Sequence, residues 1–511
     1  MRKIFPLLLA TLFSNLVFAN NVQISNVSVN GNNISFTISW ENSWNTTNNT
    51  DPNYPNNWDA VWIFIKYQRG DNIWRHAPLS SISSNHSATG GILQVDAVTD
   101  GVGVFIRRSS PGAGNISATT VTLLMGTLQR AGTPNFRVFG IEMVYCPTGE
   151  FWIGDGNTDN NLNYCYLKKI TYSSQLNGLP MGAHFVGSLP VPNTFPMGYY
   201  GFYIMKYEAS YQQYADFLNT LTYNQQLWRT NVSPNSPIGV RAIENVVNGV
   251  SIGTTKTIEI ITPGINSTIP AIYGCDFTDD NNFNDINDGQ NIALEGIDVM
   301  DFLAYLDWSG LRPMTEMEFE KACRGTKTAV LDEYAWGTTE LKCYQRVIVN
   351  QGITFQQLTN WGEASEALPG MIVNGRCFCG VNITIDYPGD GTGRNGIFAT
   401  SATGRQSSGA GFYGAMDLSG NSYEFCVSLT FIGHSIVYSG NHGDGFLTNS
   451  GNPDVTLWPE FDVSNKIQIH YKGGVWFGTN PDLPKTSNRP LGVTPIQRKA
   501  GFGIRGVRTY Y

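Results

Sequence analysis

Apolar and polar residues alternate through 22–41, VQISNVSVNGNNISFTISWE, on both sides of Asn30-Gly31. A period of two around a turn dipeptide predicts a β-hairpin. The segments 59–68 (DAVWIFIKYQ), 92–98 (ILQVDAV), 101–110 (GVGVFIRRSS) and 120–128 (TVTLLMGTL) read as further strands. About seven short strands joined by loops predict an all-β sandwich over residues 20–135. The loop 40–58, WENSWNTTNNTDPNYPNNW, is rich in aromatic residues. It reads as a surface loop with buried tryptophans, and a binding role is the alternative.

The pattern changes after 129–135 (QRAGTPN), and a second unit is expected over 136–511. Ser210 is placed to cap a helix beginning SYQQYADFLNTLT. Val299, Phe302, Leu303 and Leu306 recur at helical spacing, and Gly310 suits the end of that helix. Thr315, with Glu318 three residues on, forms a capping box for a third helix over 316–325. Beyond 326 come long Gly-rich and aromatic-rich loops with short strands. The fold class expected is α+β, a β-sandwich followed by a loop-rich unit.

Residues 1–19 read as a signal peptide. MRK is basic, IFPLLLATLFSNLVF is apolar, and Val17 and Ala19 precede Asn20 as small-residue cleavage positions. The apolar run is short for a membrane span. The expectation is an exported protein that does not span a membrane: periplasmic, cell-surface or secreted. A length of 511 residues exceeds one ordinary core. A net charge of −8 without a basic stripe argues against nucleic acid as a partner. Cys146, Cys165, Cys275, Cys323, Cys343, Cys377, Cys379 and Cys426 make an even count, which fits disulfides or buried thiols in an exported chain. Their connectivity stays open. Cys377 and Cys379 form a C-x-C, a weak metal signal.

Six ordered motifs in the second unit resemble the formylglycine-generating enzyme family, or sulfatase-modifying-factor-like domains. They are EMVYCPTGEFWIGDG (142–156), GFYIMKYEASYQQYADFLN (201–219), IDVMDFLAYLDWSGLRPMTEMEFEKACRG (297–325) with YAWG (334–337), YGAMDLSGNSYEF (413–425), YKGGVWF (471–477) and GFGIRGVR (501–508). In the second of them a Glu precedes the helix. The resemblance covers about 140–511 and implies a loop-rich variant of the C-type lectin fold. It implies calcium at Asp417 and Glu424, with backbone carbonyls from Gly420 and Ser422. Calcium takes six to eight hard oxygens, which a turn between two carboxylates can supply. A hydrogen-bonded turn without metal is the alternative. A second calcium site maps to Asn350 and Gln351, with a partner near Asp390. The acidic stretch 276–291 is a weaker candidate. Asp280, Asn282 and Asn284 have calcium-loop spacing, but Asp285 stands where glycine is needed and Asn291 where Glu is needed.

The resemblance also implies copper(I) held by two cysteines after the Gly-Gly strand, since soft thiolates suit that ion. Counting from Gly473-Gly474, those positions are Gly478 and Leu483, and Val475 replaces the usual serine. No cysteine follows Cys426. Copper is therefore not expected. His76, His86, His184, His434, His442 and His470 lack the close spacing of a ligand pair for the iron-dependent branch. His442 and Asp444 in SGNHGDG are the most site-like, against a reading as a glycine-built polar turn. The expected function is that of a non-catalytic, exported member that binds or assembles with an envelope or surface protein or glycan. Two alternatives remain. One is a cryptic metal-dependent oxidoreductase using Cys377, Cys379 or His442. The other is a carbohydrate-binding protein, suggested by 12 Trp and 24 Tyr.

Overall fold

The computed structural model of the protein describes residues 22–51, 55–128, 134–157, 167–172, 194–243, 246–247, 250–251, 258–285, 288–344, 348–349, 357–358, 373–382, 391–428, 438–459, 469–489 and 497–510. The expected signal peptide, Cys165, His184, Asn350, Gln351, Asp390 and His434 lie outside them. The first half is strand-rich: β1 Gln23–Asn30, β2 Asn33–Asn45, β3 Asp59–Gln68, β4 Trp74–His76, β5 Ser87–Ala88, β6 Leu93–Ala97, β7 Val104–Arg108, β8 Gly112–Leu124, β9 Asn135–Cys146, β10 Phe151–Ile153, β11 Lys168–Ile170 and β12 Phe202–Met205. Helices α1 Tyr211–Leu218, α2 Tyr223–Arg229, α3 Val299–Ser309 and α4 Glu316–Arg324 follow. The fold is mixed α+β with mostly antiparallel ladders, as the alternation led us to expect.

The first hairpin turns at Gly31-Asn32, since Asn30 pairs with Asn33. A four-stranded sheet runs β1-β2-β8-β5. The larger sheet has eight strands. Its order is Arg312–Pro313, Gly506–Thr509, β12, β9, β3, β7 and β6, with β4 also on β3. β9 pairs with β3 over ten residue pairs, from Asp59↔Val144 to Gln68↔Asn135. Front strands β3, β4, β6 and β7 and the last described strand of the chain thus belong to one sheet.

β3 explains why its sequence is almost continuously apolar. Val61, Ile63, Ile65 and Tyr67 enter one core with Ile34, Phe36, Ile38 and Trp40 of β2 and Val121 and Leu123 of β8. Ala60, Trp62 and Phe64 face the opposite way, into a core with Phe302, Leu306 and Trp308 of α3. A strand buried on both faces loses the alternation of a half-exposed one. The stretch 40–58, expected as a loop, begins inside β2, which runs through Asn45. In it Trp40 Nε1 donates to Asp59 at 3.0 Å, Trp44 Nε1 to Asn57 at 3.2 Å and Trp58 Nε1 to Tyr203 at 2.8 Å. These indoles are structural anchors with satisfied donors.

The three expected helices form where their caps are. Ser210, Asp298 and Thr315 each accept from the first turn in a capping box. Gly310 ends α3 at φ 73°. The short helix α2, capped by Thr222, was not foreseen; its seven residues carry little periodicity to read.

Candidate functional site

The 413–427 stretch is buried along most of its length. Strand Tyr423–Val427 pairs antiparallel with Ile469–Lys472 and parallel with Phe502–Gly503. The turn before it holds Asp417, Gly420 and Asn421 at φ 61°, 92° and 63°. Gly420 is required here. A Cβ on it would lie 2.3 Å from the Phe378 carbonyl oxygen. Its N–H donates to Gly473 O at 2.6 Å, and Asn421 N–H donates to Phe378 O at 2.9 Å. The turn therefore joins the Gly473-Gly474 segment to the strand Arg376–Phe378.

Three buried carboxyl groups converge near this turn. Glu208, between β12 and α1, accepts from Ser422 N at 2.9 Å, from Ser422 Oγ at 2.6 Å and from Asn421 Nδ2. Asp417 accepts from Gly396 N at 2.7 Å. Glu424 Oε1 accepts from Arg505 Nε at 2.7 Å, and its Oε2 receives no hydrogen bond among the described residues. Arg505 also donates to the Met205 and Met416 carbonyls at 2.8 and 2.7 Å. Burial raises the pKa of all three carboxyls, and for Glu208 the charges of Glu424 and Asp417 add to it. Arg505 opposes this at all three, and Arg394 does so at Asp417. Glu424 thus meets a guanidinium rather than the all-oxygen shell that calcium takes. The sequence marked Asp417, Gly420, Ser422 and Glu424. It did not single out Arg505, and it noted Glu208 only as the Glu before a helix.

Three other groups bring ligand atoms within 4.8 Å of one another among the described residues: Cys343–Cys377–Cys379, Glu259–Asp276–Asp279 and Asp307–Asp444–Asp454. The acidic loop uses different residues from those the calcium-loop spacing suggested. Asp276 accepts from the backbone of Asp280 and Asn281 at 3.2 and 2.9 Å. Asn284 is turned to accept from Cys275 N at 2.9 Å.

Gly478 and Leu483 lie side by side. A Cβ on Gly478 would stand 3.3 Å from Leu483 Cδ1. Around them Gly380 N donates to Gly478 O at 3.1 Å and Tyr334 OH to Pro481 O at 3.0 Å. The side chains of a glycine and a leucine offer copper(I) no ligand, so the ion does not fit these two positions.

His442 and Asp444 serve different partners. His442 Nε2 accepts from Thr509 N at 3.0 Å, while Nδ1 faces Asp100 at 3.8 Å. Burial, then Arg508, pushes this imidazole down to about 3, so it is neutral. Asp444 N donates to Asp307 at 3.1 Å. His76 and His86 each bond a backbone carbonyl, Val102 O at 2.6 Å and Ser80 O at 2.8 Å. No histidine belongs to the ligand groups above among the described residues.

A cleft of about 700 Å³ opens between β1, β9, α1 and α3. Gln212, Gln213, Asp216, Gln290 and Asn291 line it together with Phe139 and Trp308. Burial pushes Asp216 up to about 6. Cys343 and Cys379 form a disulfide, while Cys146, Cys275, Cys323, Cys377 and Cys426 are buried free thiols. Among the described residues no helix is long and apolar enough to cross a membrane.

Residues 141–510 match the family described as the sulfatase-modifying factor enzyme 1-like domain, abbreviated FGE-sulfatase. Comparison with curated proteins finds no match.

Proposed function

The chain belongs to the sulfatase-modifying factor enzyme 1-like family, and from that premise we propose that it is an exported, non-catalytic member acting by binding or assembly at the cell envelope or surface. The observation that carries this reading is that Gly478 and Leu483, neither with a ligand atom in its side chain, stand where the family's oxidases are expected to hold copper(I). His76, His86 and His442 support it, each having one ring nitrogen engaged by a backbone hydrogen bond. Export rests on the apolar leader and fits a disulfide within the family unit. The two front sheets are read as a sandwich that shares one layer with a C-type-lectin-like scaffold. Its partner is a surface protein or glycan.

A copper(I) competition titration on protein with its Cys343–Cys379 disulfide intact tests the reading. We expect no tight stoichiometric site. Tight uptake coupled to oxidation of a cysteine peptide would overturn it. Calcium enters the proposal as a structural ion. At Asp417 and Glu424 it has to compete with Arg505, and the two acidic groups are the other places to look. Chelation with EGTA should lower Tm if the ion is held there; an unchanged melt removes calcium from the proposal.

A second reading is favoured by the cleft. Amide side chains and one carboxyl beside aromatic rings suit a neutral polyhydroxy ligand. A glycan array with wild type and Gln212→Ala checks it, and an array without signal removes it.

A further inference from the structure

The sulfur atoms of Cys343, Cys377 and Cys379 need an account that a single structural bridge does not give. Cys343 lies on the strand Lys342–Tyr344, which runs parallel to Arg376–Phe378 with Cys343 opposite Cys377. The twofold period of a strand places Cys377 and Cys379 on one side and Phe378 on the other. Phe378 indeed packs away, against Phe398. Cys343 is bonded to Cys379, and Cys377 Sγ is 3.3 Å from Cys379 Sγ. All three sulfurs lie within 4.8 Å of one another.

Either buried sulfur is within bonding reach of Cys343. The Cα atoms of Cys343 and Cys379 are 5.0 Å apart. Neighbouring strands are about 4.8 Å apart, which puts the directly opposed Cys377 inside the range disulfides span. Cys377 and Cys379 are buried at 4% and 1% exposure, under Tyr334 and Trp336, while Cys343 is half-buried. An incoming thiol can therefore reach Cys343 first.

We propose that Cys343, Cys377 and Cys379 form a thiol–disulfide exchange site, with Cys343 as the sulfur that meets an external thiol and Cys377 and Cys379 as alternative resolving thiols. A small-molecule or protein thiolate attacks Cys343 Sγ. The new S–S bond forms, the Cys343–Cys379 bond breaks, and its electron pair leaves on Cys379, which takes a proton. Cys377 or Cys379, as thiolate, then attacks Cys343 and expels the incoming thiolate. One disulfide is present before and after, so nothing is oxidised overall. Burial raises the Cys377 thiol, with the Asp417 charge adding to it. Exchange through Cys377 is accordingly slow near neutrality and quickens as pH rises.

The test uses the full chain as wild type, Cys377→Ser, Cys379→Ser and the double variant. Each is incubated with isotope-labelled glutathione, reduced and oxidised forms together, at about pH 8.5, where thiolate is more abundant. The oxidised form supplies the disulfide that loads a free Cys343 thiol. The samples are then acid-quenched, alkylated, digested and mapped. Wild type should yield both Cys343–Cys379 and Cys343–Cys377 peptides. Cys379→Ser should form Cys343–Cys377 and release the label. The double variant should retain label on Cys343 at about tenfold the level of either single variant, because no resolving thiol remains. The proposal is overturned if wild type yields only Cys343–Cys379 after prolonged exposure, or if Cys379→Ser holds label as the double variant does. The wild-type map needs no variant, so it decides the matter even where a substituted chain fails to fold.

Discussion

Arg505 sets one guanidinium among Glu208, Asp417 and Glu424, all of them buried. Removing one partner of a buried pair leaves an uncompensated charge. Arg505→Met should therefore cost about 3–5 kcal/mol at neutral pH. Urea unfolding would measure it, and the loss should shrink as pH falls and the carboxyls, raised by burial, take up protons. Asp307 makes a second case. It lies on α3 and accepts from Asp444 N and Asp454 N, both at 3.1 Å. Burial pushes it up to about 7. Below about pH 4 both folded and unfolded chains hold this proton. Between there and 7 only the folded chain does, so stability falls as pH rises through that window. Asp307→Asn should flatten the fall, read as Tm against pH. Sequence exposed one side of this chemistry. Asp417 and Glu424 stood out because the motif holds them seven residues apart. Arg505 did not, because a guanidinium 81 positions from its carboxylate leaves no local pattern.

At the scale of elements, legibility followed locality. Capping boxes are written within four residues, and α1 and α4 begin where Ser210 and Thr315 place them. The cap of α3, Asp298, was not singled out, and that helix was read from its apolar spacing and Gly310. Thr315→Ala should cost about 1 kcal/mol from the cap alone. It should cost somewhat more in practice, since Thr315 Oγ1 also bonds Pro196 O at 2.9 Å. Denaturant midpoints would show both parts. The Gly420 turn makes a harsher demand, combining positive φ with a backbone oxygen where a Cβ would go. Gly420→Ala should cost about 2–4 kcal/mol, more than loss of a cap, because the strand Arg376–Phe378 must shift. A thermal melt of the variant, with disulfide mapping, would show whether Cys377 and Cys379 move with it. What stayed hidden was pairing between distant strands. β3 reads as a strand, but its burial on both faces gave no sign of which strands lie beside it.

The whole molecule is joined across the place where a boundary was expected. β9 begins at Asn135 and pairs along the full length of β3. Trp62 Nε1 donates to Ser309 O at 2.8 Å, Lys66 Nζ to Gly445 O at 2.6 Å, and Asn57 Nδ2 to Tyr413 O at 2.9 Å. Arg508 closes the seam on Asp100. A chain starting at residue 134 would expose the β9 edge and the apolar faces of β9 and α3, and should aggregate on expression. The full chain should unfold in one calorimetric transition rather than two. Two resolved peaks would show that the sheet does not couple its halves. The same sheet also governs how the fold would answer force. Strand Gly506–Thr509 lies inside it, bonded to β12 on one edge and to Arg312–Pro313 on the other. Tension entering through that strand must break two ladders at once, where an edge strand would peel from one. A tether at this end would thus draw on the slow, kinetic resistance of the sheet interior.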